Sequence, residues 1–144
     1  MKTDNSNERR STLSTLWIFV TLNYLYCDVM SLMDPAILKQ YLSGTVNGIG
    51  INGSFLLAAA ILMEIPIGMV LLSRILPHKS NRLANMIAGI IMTIVQTTTM
   101  FMGTPAPYYL FCGTIEILTT IFIVWYARKW VEINTISEDS TLTK

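Results

Sequence analysis

The sequence predicts an all-α fold: a transmembrane four-helix bundle with its N-terminus and C-terminus on the cytoplasmic side. Three observations predict it. Of 144 residues, 52% are hydrophobic and only 13% are charged, about half the charge of an ordinary soluble domain. Four apolar segments, at 13–33, 53–72, 83–102 and 108–130, each reach the roughly 20 residues that cross about 30 Å of hydrocarbon. The basic residues also collect on one side. Lys2, Arg9, Arg10, Arg74, Lys79, Arg82, Arg128, Lys129 and Lys144 fall at one end of the expected topology, and Lys39 alone at the other. Lys and Arg mark the cytoplasmic end of a bundle.

The elements follow in order. Residues 1–12, "MKTDNSNERRST", read as a polar cytoplasmic tail. No small-residue cleavage site follows the first apolar run, so that run is expected to stay as a helix. Beyond Met33, "DPAILKQYL" offers Asp34 as an N-cap with Pro35 in the first turn, which predicts a short amphipathic helix ending at Leu42 on the outer surface. Glycines 44, 48, 50 and 53 then make a flexible or tightly turned return. A plain hairpin connection and a lid over an outward-facing cavity both fit this stretch. The basic loop "SRILPHKSNR" joins segments two and three, and the uncharged "GTPAP" joins three and four. Residues 131–144 read as a second cytoplasmic tail. Trp17, Trp125 and Trp130 are expected at the inner interface and Tyr41, Tyr108 and Tyr109 at the outer one.

Polar residues inside the spans carry the functional question. Glu64 sits near the middle of "LLAAAILMEIPIGMVLLSR", and Glu116, Asn23, Gln96 and Asp28 place polar groups in the other three spans. An ionisable group facing lipid is costly, so these are expected to face inwards. Helical spacing groups Gly53, Leu57, Ala60, Glu64 and Gly68 on one face of segment two. It groups Asn85, Gly89, Thr93 and Gln96 on segment three, and Cys112, Glu116 and Thr120 on segment four. Segment one is polar on two sides, with Phe19, Asn23, Tyr26 and Met30 on one and Thr21, Tyr24 and Asp28 on another. No Lys or Arg lies in the core to pair the acids. Two carboxylates in one small cavity repel when both are charged, so one is expected to keep its proton. Pro66 frees the carbonyl of Leu62 on the turn that carries Glu64. That carbonyl and the carboxylate together suit a cation. The plain alternative is packing: interhelical hydrogen bonds of roughly 0.6–2 kcal/mol each and a tolerated proline kink.

Several chemistries find no support. The two cysteines, Cys27 and Cys112, lie far apart with no CxxC pair, and read as small buried hydrophobes. The single His78 sits among basic residues and makes no metal centre. Nine methionines are scattered through the chain and fill apolar space rather than forming a soft-metal cluster. No catalytic residue, cofactor or metal is expected, and no basic stripe points to nucleic acid.

The stretches "LSTLWIFVTLNYLYCDVMSLMDP", "GSFLLAAAILMEIPIGMVLLSRILPHKSNRLANMIAG" and "TIEILTTIFIVWYARKW" resemble a bacterial family of small four-span integral membrane proteins catalogued as a domain of unknown function. The resemblance covers about Leu13 to Trp130. It implies four spans in a bacterial inner membrane and no particular activity. The chain does not look like the small multidrug exporters, which carry their essential glutamate on the first helix; here that helix carries Asn23 and Asp28. The expectation is therefore a polar cavity of Asn23, Tyr26, Glu64, Gln96 and Glu116, with Asp28 as a further candidate. It would bind or translocate a small cationic or polar solute, coupled to protons, with a homodimer completing the path. A non-transporting accessory or lipid-binding protein is the alternative, and a quinone-linked enzyme component a third.

Overall fold

The computed structural model describes residues 2–102 and 105–130. The expected C-terminal tail, 131–144 with Lys144, and part of the "GTPAP" loop lie outside the described residues. Among the described residues five helices and one small hairpin follow in order: α1 Lys2–Met33, α2 Pro35–Leu42, β1 Thr45–Val46, β2 Ile49–Gly50, α3 Gly53–Ile75, α4 His78–Met100 and α5 Pro107–Arg128. Four of the helices, α1, α3, α4 and α5, are long and apolar enough to cross a membrane. They close into a ring in which α1 packs on α3 and α5, and α4 packs on α5 and α3.

The segment expected as a polar tail is helical from Lys2 and continuous with the first span. It stays helical because it packs. The Arg9 guanidinium lies 5.1 Å from the Tyr126 ring centre, and hydroxyls fold back on the helix, with Thr12 donating to the Glu8 carbonyl at 2.9 Å.

α2 starts as its sequence requires. Asp34 caps it, accepting from the Ala36 backbone N–H at 2.9 Å, with Pro35 in the first turn. None of its residues is buried. The glycine-rich return is a two-residue antiparallel hairpin pairing Thr45 with Gly50 and Val46 with Ile49. Its turn is Asn47-Gly48, with φ of 51° and 80°. Positive φ at both turn positions matches the right-handed twist of the paired strands, and Asn-Gly supplies it at little cost. The Val-Asn-Gly-Ile stretch carries that signal in the sequence, and the hairpin is the tightly turned form of the expected return.

The core sits in the half of the bundle that carries the basic ends. Leu13, Trp17, Val20 and Tyr24 of α1 meet Met69 of α3, Ala88 and Met92 of α4, and Ile123 and Ala127 of α5. Gly89 lets α4 and α5 touch: a Cβ there would stand 2.6 Å from Val124 Cγ2. The far half of α3 has no such cover. From Gly53 to Ile61 only Ala59 is even partly buried.

Candidate functional site

Two polar clusters lie inside the bundle, and they differ in how well they are satisfied. The first, in the basic half, is complete. Trp17 Nε1 donates to Asn85 Oδ1 at 2.7 Å, and Ser73 Oγ donates to the same oxygen at 3.2 Å. Asn85 Nδ2 donates to Asn81 Oδ1 at 2.6 Å and to the Asn81 carbonyl at 2.9 Å. Asn81 Nδ2 in turn donates to the Ser73 carbonyl at 2.6 Å. Nearby, Ser14 Oγ donates to the Val70 carbonyl at 2.8 Å and accepts from Arg74 Nε at 3.0 Å. This network ties α1, α3 and α4 together. A buried network with its groups paired rigidifies a bundle and asks for no ligand. Trp17 is accordingly fully buried, not interfacial as expected. Trp130 is also buried, with its ring edge-on to His78 at 4.7 Å between centroids. Trp125 is half exposed.

The second cluster is not satisfied. Glu116 is only 1% exposed, and neither of its carboxylate oxygens has a hydrogen-bond partner among the described residues. The Tyr24 hydroxyl, on α1, is also buried and also without a partner. The two groups lie within electrostatic reach of each other. Glu116 likewise feels Asp28, and Cys27 and Tyr109 feel Glu116. Helical spacing explains the gathering. Tyr24, Cys27 and Ser31 share the buried stripe of α1, and Cys112, Glu116 and Thr120 share that of α5. Gly113 brings α4 close beside the acid: a Cβ there would stand 3.0 Å from Gln96 Nε2 and 3.3 Å from Met100 Sδ. Glu116 lies nine residues into α5, about 14 Å from its start at 1.5 Å per residue.

The cluster reaches the surface through Asp28, which is exposed. Tyr41 on α2 stands near enough to Asp28 for its phenol to be pushed up, first by burial and then by that charge. The Tyr108 hydroxyl donates to Asp34 Oδ2 at 3.5 Å, and Asn47 Nδ2 donates to the Met102 carbonyl at 3.4 Å. α2 and the hairpin therefore rest on the α4–α5 turn, over the same end of the bundle as Asp28.

The expected site divides accordingly. Glu116 and Gln96 are both buried, and Asp28 lies within electrostatic reach of Glu116. Glu64 is not with them: it is exposed on the flank of α3. Pro66, Met69 and Ser73 form the buried face of that helix, and Pro66 stands about 200° round the helix from Glu64 at 100° per residue. The acid and the proline kink thus do not build one cation site. The small-residue face of Gly53, Leu57, Ala60 and Glu64 is the exposed one. Tyr26 is 60% exposed and also outside the cluster. Asn23 is half buried, and its amide donates back to the Phe19 carbonyl at 3.4 Å. Tyr24 takes the place expected of Asn23 and Tyr26. Among the described residues no three His, Cys, Asp or Glu side chains are placed to hold a metal ion.

Fold and site together define a multi-pass helical membrane protein in which Glu116 is buried and, among the described residues, without a hydrogen-bond partner. The chain matches the model of DUF6326, a family of unknown function, over residues 1–137, and it belongs to that family. No curated protein and no solved structure matches it.

Proposed function

We propose that this protein binds a small cationic or polar solute, or protons, at Glu116 and carries it across a bacterial inner membrane, with the basic end of the bundle in the cytoplasm. The observation that carries this reading is the pair of buried, unpartnered polar groups, Glu116 and Tyr24, which lie within electrostatic reach of each other. A buried carboxylate without a donor is costly by about 1–3 kcal/mol or more, and charge worsens it. Such a group takes a proton or a cation. The Tyr24 ring, whose hydroxyl lies within electrostatic reach of Glu116, and the Tyr41, Tyr108 and Tyr109 rings at the Asp28 end add faces suited to an organic ammonium ion. Asp28 supplies a second negative charge on the way in. A second copy of the chain covering Glu64 and the bare half of α3 would remove that acid from lipid, so a homodimer belongs to this reading.

The test is flux in sealed vesicles containing the purified full chain. Under an imposed voltage, a trapped pH dye reports protons and radiolabelled methylammonium reports a small cation. At least one probe should move with wild-type protein and fail to move with Glu116→Gln. If neither moves with wild type, the transport reading is lost. A second reading then stands, a non-transporting accessory or lipid-binding protein. The completed Trp17–Asn85–Asn81–Ser73 network favours it, because most interior polar groups there are already spent on structure.

A further inference from the structure

A groove runs along the flank of the α4–α5 pair, and Glu116 is not part of its lining. At the basic end it is a cavity of about 300 Å³ lined by Ile90, Thr93, Ile94, Ile121, Trp125 and Arg128, among others. From Thr93 and Ile94 it continues, with about 420 Å³, past Thr97 and Thr98 to Phe101. The threonines that line it offer little to a polar solute. Thr93, Thr97 and Thr98 each donate to a carbonyl of their own helix at 2.7–2.8 Å. Thr93 also meets the Thr120 hydroxyl at 2.8 Å. A wall with its hydroxyls spent in this way is in effect apolar, and it suits a hydrocarbon chain.

The basic end is different. Arg128 lines the groove, and among the described residues no carboxylate pairs with it. The Lys129 ammonium lies 4.3 Å from the Trp125 ring centre, and that ring stacks on Phe122 at 5.5 Å. Two positive charges thus frame one mouth of an apolar channel. From Arg128 to Ile121 is seven residues, about 10 Å along the helix, within the roughly 15 Å depth of one leaflet. We propose that this groove is a binding site for one anionic phospholipid. Its acyl chain lies along Ile90, Ile94 and Ile121, and its phosphate sits on Arg128. The occupant is set by charge complementarity: a neutral lipid satisfies the walls but not the mouth.

The test is native mass spectrometry of the full-length protein titrated with phosphatidylglycerol and with phosphatidylcholine of the same chain length. Wild type should retain phosphatidylglycerol in preference. Arg128→Gln should lower its affinity for phosphatidylglycerol about fivefold, the size expected for one basic side chain at a charged membrane surface. Ile94→Trp, which fills the exposed groove, should reduce retention of both lipids. Lys79→Gln, exposed at the same end but outside the groove, should change neither. Equal retention of the two lipids by wild type would reduce the groove to ordinary annular contact. Equal losses in Arg128→Gln and Lys79→Gln would reduce it to general surface charge. Unchanged retention in Ile94→Trp would place the lipid elsewhere. Any of the three overturns the proposal.

Discussion

The indole N–H of Trp17 donates to Asn85 Oδ1 across the α1–α4 interface at 2.7 Å. Asn85 is fully buried and is bonded on both sides of its amide. Replacing it with Leu leaves Trp17 Nε1 and Asn81 Oδ1 without these partners. A loss of about 1–3 kcal/mol is expected, the cost of stranding buried polar groups. Trp17→Phe should cost less on the polar side, because Asn85 keeps Ser73. Unfolding of the two variants in mixed micelles, followed by helical circular dichroism, measures the order.

Glu116→Leu should do the opposite. It removes an acid that makes no hydrogen bond and replaces it with an apolar side chain of similar volume. Stability should rise, by about 1–3 kcal/mol, while flux of either probe falls to background. A group that weakens the fold and supports activity is the usual form of the trade between the two. A thermal melt paired with the vesicle assay checks both halves. A variant that loses stability would show that Glu116 has a structural partner.

Glu64→Gln should leave flux intact, since the acid stands outside the Glu116 cluster. Glu64→Leu should stabilise an isolated protomer, because a carboxylate at this depth in lipid costs about 2.5–3.5 kcal/mol on insertion scales. If a second copy covers that flank, the same change should alter the oligomer distribution instead. Light scattering with the detergent contribution subtracted separates the two.

Gly89→Ala should be destabilising by about 1–3 kcal/mol, the cost of overpacking a tight contact. The new methyl would fall 2.6 Å from Val124 Cγ2. Val124→Ala should restore part of the loss in the double variant, and the melting temperatures of the four proteins in the cycle report the coupling.

Asp34→Ala removes the cap of α2 and the acceptor of the Tyr108 hydroxyl. A loss of about 1 kcal/mol is expected for the cap alone, confined to α2. Hydrogen exchange should therefore speed up at Ile37 and Leu38 without changing in α4 or in α5 beyond its first turn.

The spans were legible in the sequence because hydrocarbon thickness fixes length and leaves little room for charge. Asp34-Pro35 announced α2 for an equally local reason. The stripes of α4 and α5 were also legible: Asn85, Gly89 and Gln96, and Cys112, Glu116 and Thr120, all turn inwards. α3 was misread because it is apolar all round. Hydropathy then has no phase, and a row of small residues pointed to the wrong side. The α1 face through Trp17, Val20, Tyr24 and Cys27 was missed for a related reason. Tyr24 and Tyr26 are equally polar neighbours, and only the packing of α5 decides which one is sealed. That Asn81 and Asn85 bond each other across one turn follows from their spacing. That Trp17 joins them, 68 residues from Asn85, is decided by how α1 settles against α4.

The way α3 is fastened has a mechanical consequence. At one end its Val70 carbonyl and Ser73 are bolted to α1 and α4. At the other, residues 53–58 are all exposed, while α2 and the hairpin lean on the α4–α5 turn instead. A rod clamped at a single end swings about its clamp. Any breathing of this bundle thus widens only one mouth, the mouth beside Asp28, and the Asn85 bolt is its fulcrum. Distances between spin labels at positions 56 and 111 would spread broadly, and those between labels at 72 and 83 would stay narrow.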